Sequence, residues 1–410
     1  MNAPLSGVRI IESSMLGPAA ITGALIELGA EVVKVEPPQG DYVRQMTWPI
    51  VEGTSLMHLH INRGKRSLTL DLRTPEAVEV YLDLVRGADA VVEAMRPGGL
   101  ERRGLSYEKM REVNPKIVFC TISGYGMTGP YAEMPSHGVA YDTWAGIITP
   151  EVNEHGFTVV PEHTSIGIFA GPLYGALGIL AGIIRARETG EGSRIEIAQS
   201  DAAAAFDWYR SESYRAYERP ESEVTGNASD NYERRPVATA GMREGVRYQI
   251  YAVKDGHVLF MASEQAFWKN FCAGVDRMDL FERWPGEKLA DHARNNLELQ
   301  AILTEIFKTK TVREWLDFGV EVNTPLAPVN TPASLADDPQ FQARLGWLPK
   351  ERLGTDQLGT PLKYLGEEMP VPTKAPVVGQ DNDDVLSSLL GYDAGKIASL
   401  RAAGALGEDR

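Results

Sequence analysis

Six basic side chains fall into two short runs: Lys65 and Arg66 open NRGKRSLTLDLRTP and Arg73 closes it, while Arg96, Arg102 and Arg103 frame RPGGLERRG. The chain has a formal charge of -15 and a pI near 5.1, so it repels anions on average. A phosphate-bearing ligand therefore needs a local concentration of this kind, and arginine forks match phosphate oxygens two at a time. A solvated charged face accounts for the same residues equally simply. The net charge also disfavours nonspecific binding to nucleic acid or to anionic membranes, so neither is expected as a partner.

Other chemistry-bearing residues have weaker spacing. His58 and His60 in LMHLHINRG would share one face of a strand, as a metal pair would, but no third ligand follows at a suitable distance, and no metal is expected. His137 stands alone, either a base or a hydrogen-bonded packing residue. Glu264 opens a helix after HVLFMAS, where a carboxylate also serves the helix N-terminus. Trp144 and the group Phe206, Trp208 and Tyr209 are candidates for an acyl or aryl pocket, or for core. Cys120 and Cys272 lie far apart without CxxC spacing, which suggests a reducing compartment rather than a disulfide or zinc site. The N-terminal MNAPLSGVRIIE has no basic stretch leading into an apolar run, and the apolar stretch Ile166 to Ile184 is broken by glycines and Pro172. The expectation is a cytoplasmic protein.

The elements that would position these residues alternate. Val8 to Glu12 reads as a strand, AAITGALIEL after Pro18 as a helix closed by Gly29, and EVVKVE as a second strand. SLTLDL, ADAVVEAM and KIVFCTIS read as further strands, with TPEAVEVYLDLVRGA and LSYEKMREVNP as capped helices between them. Alternation of this kind implies a parallel sheet covered by helices. The first strand-helix junction, IIESSMLGPAA, has no GxGxxG, so a dinucleotide is not indicated. GPLYGALGILAGIIRARE is a long helix of small residues, and GEGSRIEIAQ a turn and strand. YQIYAV and HVLFMA enclose KDG as a hairpin, with amphipathic helices to Phe318, giving a smaller α+β domain at 226–325. Residues 1–225 form a large domain, and 326–410 are a proline-rich connection and a C-terminal return to it.

Taken in order, NRGKRSLTLDLRTPEA, RPGGLERRGLSYE, ARETGEGSRIEIAQSDAA, TPLAPV, DPQFQARLGW and APVVGQDNDDVLSSLLGY resemble the signature blocks of the family III CoA-transferases. These are the relatives of formyl-CoA transferase, carnitine CoA-transferase and α-methylacyl-CoA racemase. The resemblance implies an α/β fold with a Rossmann-like large domain built from both chain ends, a smaller domain, and an interlocked ring-like dimer. It also implies coenzyme A or an acyl-CoA as substrate, with no tightly bound cofactor. Carried over position by position, Leu70 and Arg73 lie near the adenine and its phosphates. Ala94, Met95 and Arg96 run along the nucleotide, Arg102 sits against the adenine and phosphates, and His137 is beside the thioester.

Enzymes of this family use an aspartate that attacks the thioester and passes through an anhydride, a suitable nucleophile because the acyl group moves between acids. Counting back from RETGEG places that position on Gly167, which cannot form an anhydride. Glu162 could serve from a rebuilt loop, or the site could be a local variant. The favoured reading is a subunit without the nucleophile, paired with a homologous chain that carries the aspartate. Met15 in place of a glutamine, Pro37 in place of an arginine, and the diluted glycine loop TGNASD argue against oxalate and formate. Among heteromeric relatives, the chain resembles a subunit of the two-subunit succinyl-CoA:(R)-benzylsuccinate CoA-transferase of anaerobic toluene degradation. His137 and Glu264 also fall where the racemase has a histidine and a supporting glutamate, so racemisation with His137 is an alternative, as is a nonenzymatic CoA-binding subunit.

Overall fold

A computed structural model describes residues 3–95, 98–226, 232, 234, 242–288, 291–367 and 369–406. Six short apolar runs form one parallel sheet. They are β1 (Arg9–Ser13), β2 (Glu31–Glu36), β3 (Arg66–Thr69), β4 (Ala90–Glu93), β5 (Val118–Ser123) and β6 (Ser193–Ala198). Their order across the sheet is β3-β2-β1-β4-β5-β6, with every neighbouring pair parallel. This is the doubly wound arrangement expected from the alternating elements.

Strand side chains alternate between faces, and both faces are covered, so apolar residues stand at consecutive positions in the strand centres. Ile11, Val33, Leu68, Val91 and Phe119 belong to one core cluster, whereas Ile10, Val32, Ala90, Val92 and Cys120 belong to another. Ile21 and Leu25 of α1 (Ala20–Ile26) complete the second cluster. The helix α2 (Leu56–Ile61) precedes β3, and α3 (Pro75–Arg86) covers the first face. Its start was legible: the Thr74 side chain accepts from Ala77 N and Pro75 is the first helical residue. The helix α4 (Tyr107–Val113) is capped in the same way by Ser106.

Two helices matter most for the site, α5 (Gly138–Trp144) and α6 (Gly167–Thr189). By length and composition α6 could cross a membrane, but half of its most apolar window is buried inside the fold. The next helix, α7 (Gln199–Phe206), follows β6 directly. The C-terminal return is fastened to β3: Asp381 accepts from Ser67 N at 2.7 Å and Asn382 from Thr69 N at 2.8 Å. Val385, Leu386, Ile397 and Leu400 then join the first core cluster.

The chain divides into two compact units, 1–208 with 345–410, and 209–344. The second contains an antiparallel sheet of β7 (Tyr248–Ala252), β8 (His257–Met261) and β9 (Leu326–Pro328), with β8 central. The KDG hairpin joins β7 to β8. Helices α8 (Gln265–Gly274), α9 (Leu297–Phe307) and α10 (Val312–Glu321) bury an aromatic core of Phe260, Phe271, Phe307 and Trp315.

Candidate active site

Beyond the C-terminal ends of β1, β2, β3 and β4 lies a cavity of about 670 Å³. This is the crevice where the strand order reverses direction, the place where doubly wound sheets bind ligands. Leu70, Arg73, Ala94, Met95 and Arg102 all line it, so five of the residues expected to hold the nucleotide are brought together from three segments. Arg96 lies outside the described residues. Arg103, adjacent in sequence to Arg102, is a further wall residue and is steadied by donating to Gly99 O at 2.6 Å. Arg73 is largely exposed and held by Asp71, with Nε to Oδ1 at 2.8 Å and Nη2 to Oδ2 at 2.6 Å. Those hydrogen bonds hold the Asp71 carboxyl below its ordinary range. The result is an open mouth lined by three guanidinium groups, whose forks match phosphate oxygens.

Met15, Ala94 and Met95 also line a second cavity of about 620 Å³, so the two cavities adjoin along a trough. Glu93 fixes its floor, accepting from Thr121 Oγ1 at 2.9 Å and from Met95 N at 3.3 Å. Burial pushes the Glu93 carboxyl upward in pKa, against those hydrogen bonds. His137, immediately before α5, is exposed and lines the second cavity. Asp142 of the same helix is fully buried and accepts from Gly167 N at 2.8 Å and Ile166 N at 3.1 Å. A carboxylate from α5 thus satisfies the free N–H groups at the start of α6.

Gly167 is not among the residues that line the trough, and the space beside it is filled. A Cβ there would meet Tyr141 Cβ at 2.7 Å and Gln199 O at 3.0 Å. The next residue, Ile168, lines the cavity instead. Of the other acidic candidates, Glu162 is exposed and outside the cavity walls. Glu264 belongs to the second unit, where it precedes α8. Residues 227–230 of the TGNASD segment lie outside the described residues. Glu133 is the carboxylate among the described residues lining the second cavity, while Glu36 and Asp71 line the first, and nothing in the local sequence of Glu133 marks it. The buried Gln199, whose Oε1 has no hydrogen-bond partner, was equally silent.

Several expectations are corrected. Lys65 is not at the phosphate mouth but fully buried, its Nζ 2.7 Å from Glu12 Oε2 and 2.7 Å from Ala19 O. Burial, opposed by Glu12, pushes it down to about 8. Lys34, also buried, binds the other Glu12 oxygen at 3.0 Å and Asp41 at 3.2 Å. Arg66 pairs with Glu31 and Asp384. His58 and His60 lie on a helix, where i,i+2 residues point to different sides. His58 is buried with Arg44 Nη1 2.6 Å from its Nε2, whereas His60 is exposed. Among the described residues no group of three potential metal ligands gathers. Trp144, Phe206, Trp208 and Tyr209 are about half exposed, neither core nor cavity wall.

The model of the CoA-transferase family III matches residues 5–382. The succinate–glutarate CoA-transferase of Agrobacterium fabrum is 31% identical over 352 residues, covering 83% of this chain and 84% of that protein. The beta subunit of the succinyl-CoA–L-malate CoA-transferase of Chloroflexus aurantiacus is 27% identical over 418 residues, 97% of each. Among solved structures, a CAIB/BAIF family protein from Brucella suis superposes with a TM-score of 0.74 at 26% identity, covering 95% of this chain and 100% of that one. With the doubly wound sheet and the basic crevice at its switch point, these matches show that the chain belongs to the family III CoA-transferases, enzymes that take CoA thioesters as substrates.

Proposed function

We propose that this chain binds the CoA thioester in the trough and exchanges CoA between a donor such as succinyl-CoA and a carboxylic acid, with the attacking carboxylate supplied by a homologous subunit. The observation that carries this reading is the wall beside His137: position 167 has no room for a side chain, and Ile168 occupies the direction facing the trough. The nucleotide end keeps Arg73, Arg102 and Arg103. An interlocked pairing is supported by α6, where Phe169, Leu173, Leu177 and Ile184 form an exposed apolar stripe at helical spacing. Benzylsuccinate is the acceptor that the sequence resemblance suggests, and its aryl group suits an apolar wall. Both cysteines are unpaired and buried, in keeping with work in the cytoplasm.

A second reading rests on Glu133, which lines the trough as a carboxylate of this chain and would make the chain self-sufficient. Incubation with succinyl-CoA and glutarate, malate or benzylsuccinate, followed by chromatography of the CoA esters, separates the two. No transfer by the chain alone, and transfer on adding an aspartate-bearing homologous subunit, is the expected result. Turnover by the chain alone overturns the shared site, and loss of that turnover in Glu133→Gln assigns it to Glu133.

A further inference from the structure

Resting on the reading that the trough takes a CoA thioester, we infer that Lys34 is a positioning residue for it: its buried ammonium ties the loop after β1 to the loop after β2 and so sets the spacing of two walls of the first cavity. Lys34 stands on β2 with its side chain wholly inside the fold. Its Nζ donates to Ser14 O at 2.5 Å, in the loop after β1, and lies 3.2 Å from Asp41 Oδ2, at the end of the loop after β2. Ser14 and Met15 line the cavity from the first loop, and Pro37, Pro38 and Gln39 line it from the second. One cation thus reaches both walls.

Glu12 of β1 anchors the device, accepting from Lys34 at Oε1, 3.0 Å, and from Lys65 at Oε2, 2.7 Å. Lys65 donates in turn to Ala19 O at 2.7 Å. The loop 14–19 is therefore gripped at its first carbonyl by one lysine and at its last by the other. Between those points Leu16 has a φ of 56° and a ψ of −145°, a conformation that a residue with a side chain keeps only where its surroundings impose it. Met15, next to it, lines both cavities, so the placing of this turn decides how the two ends of the trough join. Burial opposes charge on Lys34, but Glu12, Asp41 and Glu36 outweigh it and hold its pKa above the ordinary lysine range. The side chains of Glu12, Lys34 and Lys65 are all enclosed within this chain, so the arrangement stands whatever a second subunit adds. Arg73, Arg102 and Arg103 reach the cavity from segments after β3 and β4 instead.

Calorimetric titration of the purified chain with succinyl-CoA, and with adenosine 3′,5′-diphosphate as the nucleotide end alone, tests the inference. Lys34→Met removes the tether but leaves Glu12 and Asp41 sharing a single lysine, Lys65. Combining Lys34→Met with Asp41→Asn restores the balance of charge, still without a donor to Ser14 O, and this double variant decides the matter where the single one does not fold. Both variants are expected to bind succinyl-CoA roughly tenfold more weakly, as for one lost hydrogen bond from a charged donor. Their affinity for adenosine 3′,5′-diphosphate, which the arginines hold, is expected to be unchanged. Recovery of full succinyl-CoA affinity in the double variant overturns the inference by assigning Lys34 to charge balance. Equal weakening of both ligands overturns it by assigning Lys34 to general stability. Failure of the unaltered chain to bind either ligand overturns the underlying reading of the trough instead.

Discussion

Glycine at 167 is required by the neighbours it touches, since Tyr141 and the Gln199 carbonyl close on the space a side chain would fill. Gly167→Asp is accordingly expected to lower stability by roughly 1–3 kcal/mol through overpacking and to produce no transfer activity, readable as a fall in melting temperature and an unchanged chromatogram. Ile168→Asp puts a carboxylate on the trough wall shared with His137 and Met15. It is expected to give the isolated chain measurable transfer from an acyl-CoA, and its complete inactivity with normal CoA binding would contradict that placement. Two arginines of the first cavity, Arg73 and Arg102, were legible because they stand in short basic runs that match the family's signature blocks. Lys65 had the same chemistry and went elsewhere, because its partner Glu12 is remote in sequence and meets it only in the folded sheet.

Among elements, the pair α5 and α6 borders the end of the trough beside His137. Asp142 reaches from one to the other and accepts two backbone N–H groups, so the residue carrying His137's helix also orders the start of α6. Asp142→Asn keeps the size but removes the charge from a helix N-terminus and replaces one acceptor oxygen by a donor. A loss of about 1–3 kcal/mol is expected, measured by denaturant unfolding, and an unchanged midpoint would show that the contact is not stabilising. The βα units were readable from periodicity and capping residues. The exception is LMHLHI: alternating histidines suggested a strand, but Ser55 accepts from His58 N and caps a helix, a local signal that outweighs a two-residue alternation.

For the whole molecule, the sheet's interior charges carry a pH dependence. Burial first, then Arg44 and the two buried lysines, push His58 down to about 3. The unfolded chain takes up that proton near 6.5, so between about 6.5 and 3 the unfolded state binds more protons. Stability that is present above about 6.5 is then lost as the pH falls, by up to about 1.4 kcal/mol per pH unit. Between pH 4.5 and 6.5, above the ordinary range of carboxylates, urea unfolding is expected to show at least this slope, and His58→Gln to reduce it, the remainder coming from His60, which partial burial pushes down to about 4. An equal slope in both proteins would remove His58 as its source.

The sequence alone determined the layered α/β fold, the two basic runs and the membership in a CoA-transferase family, because periodicity, capping and ordered motifs are local and survive reading along the chain. The tertiary structure decided which charges are solvated and which are locked inside, since Glu12 and Asp41 offset Lys34 and Lys65 only when the strands align. It also assembled the wall of the second cavity. Five methionines on separate segments carry no shared spacing, and they become one surface only because the carboxyl ends of the strands and the loops beyond them converge at a single crevice.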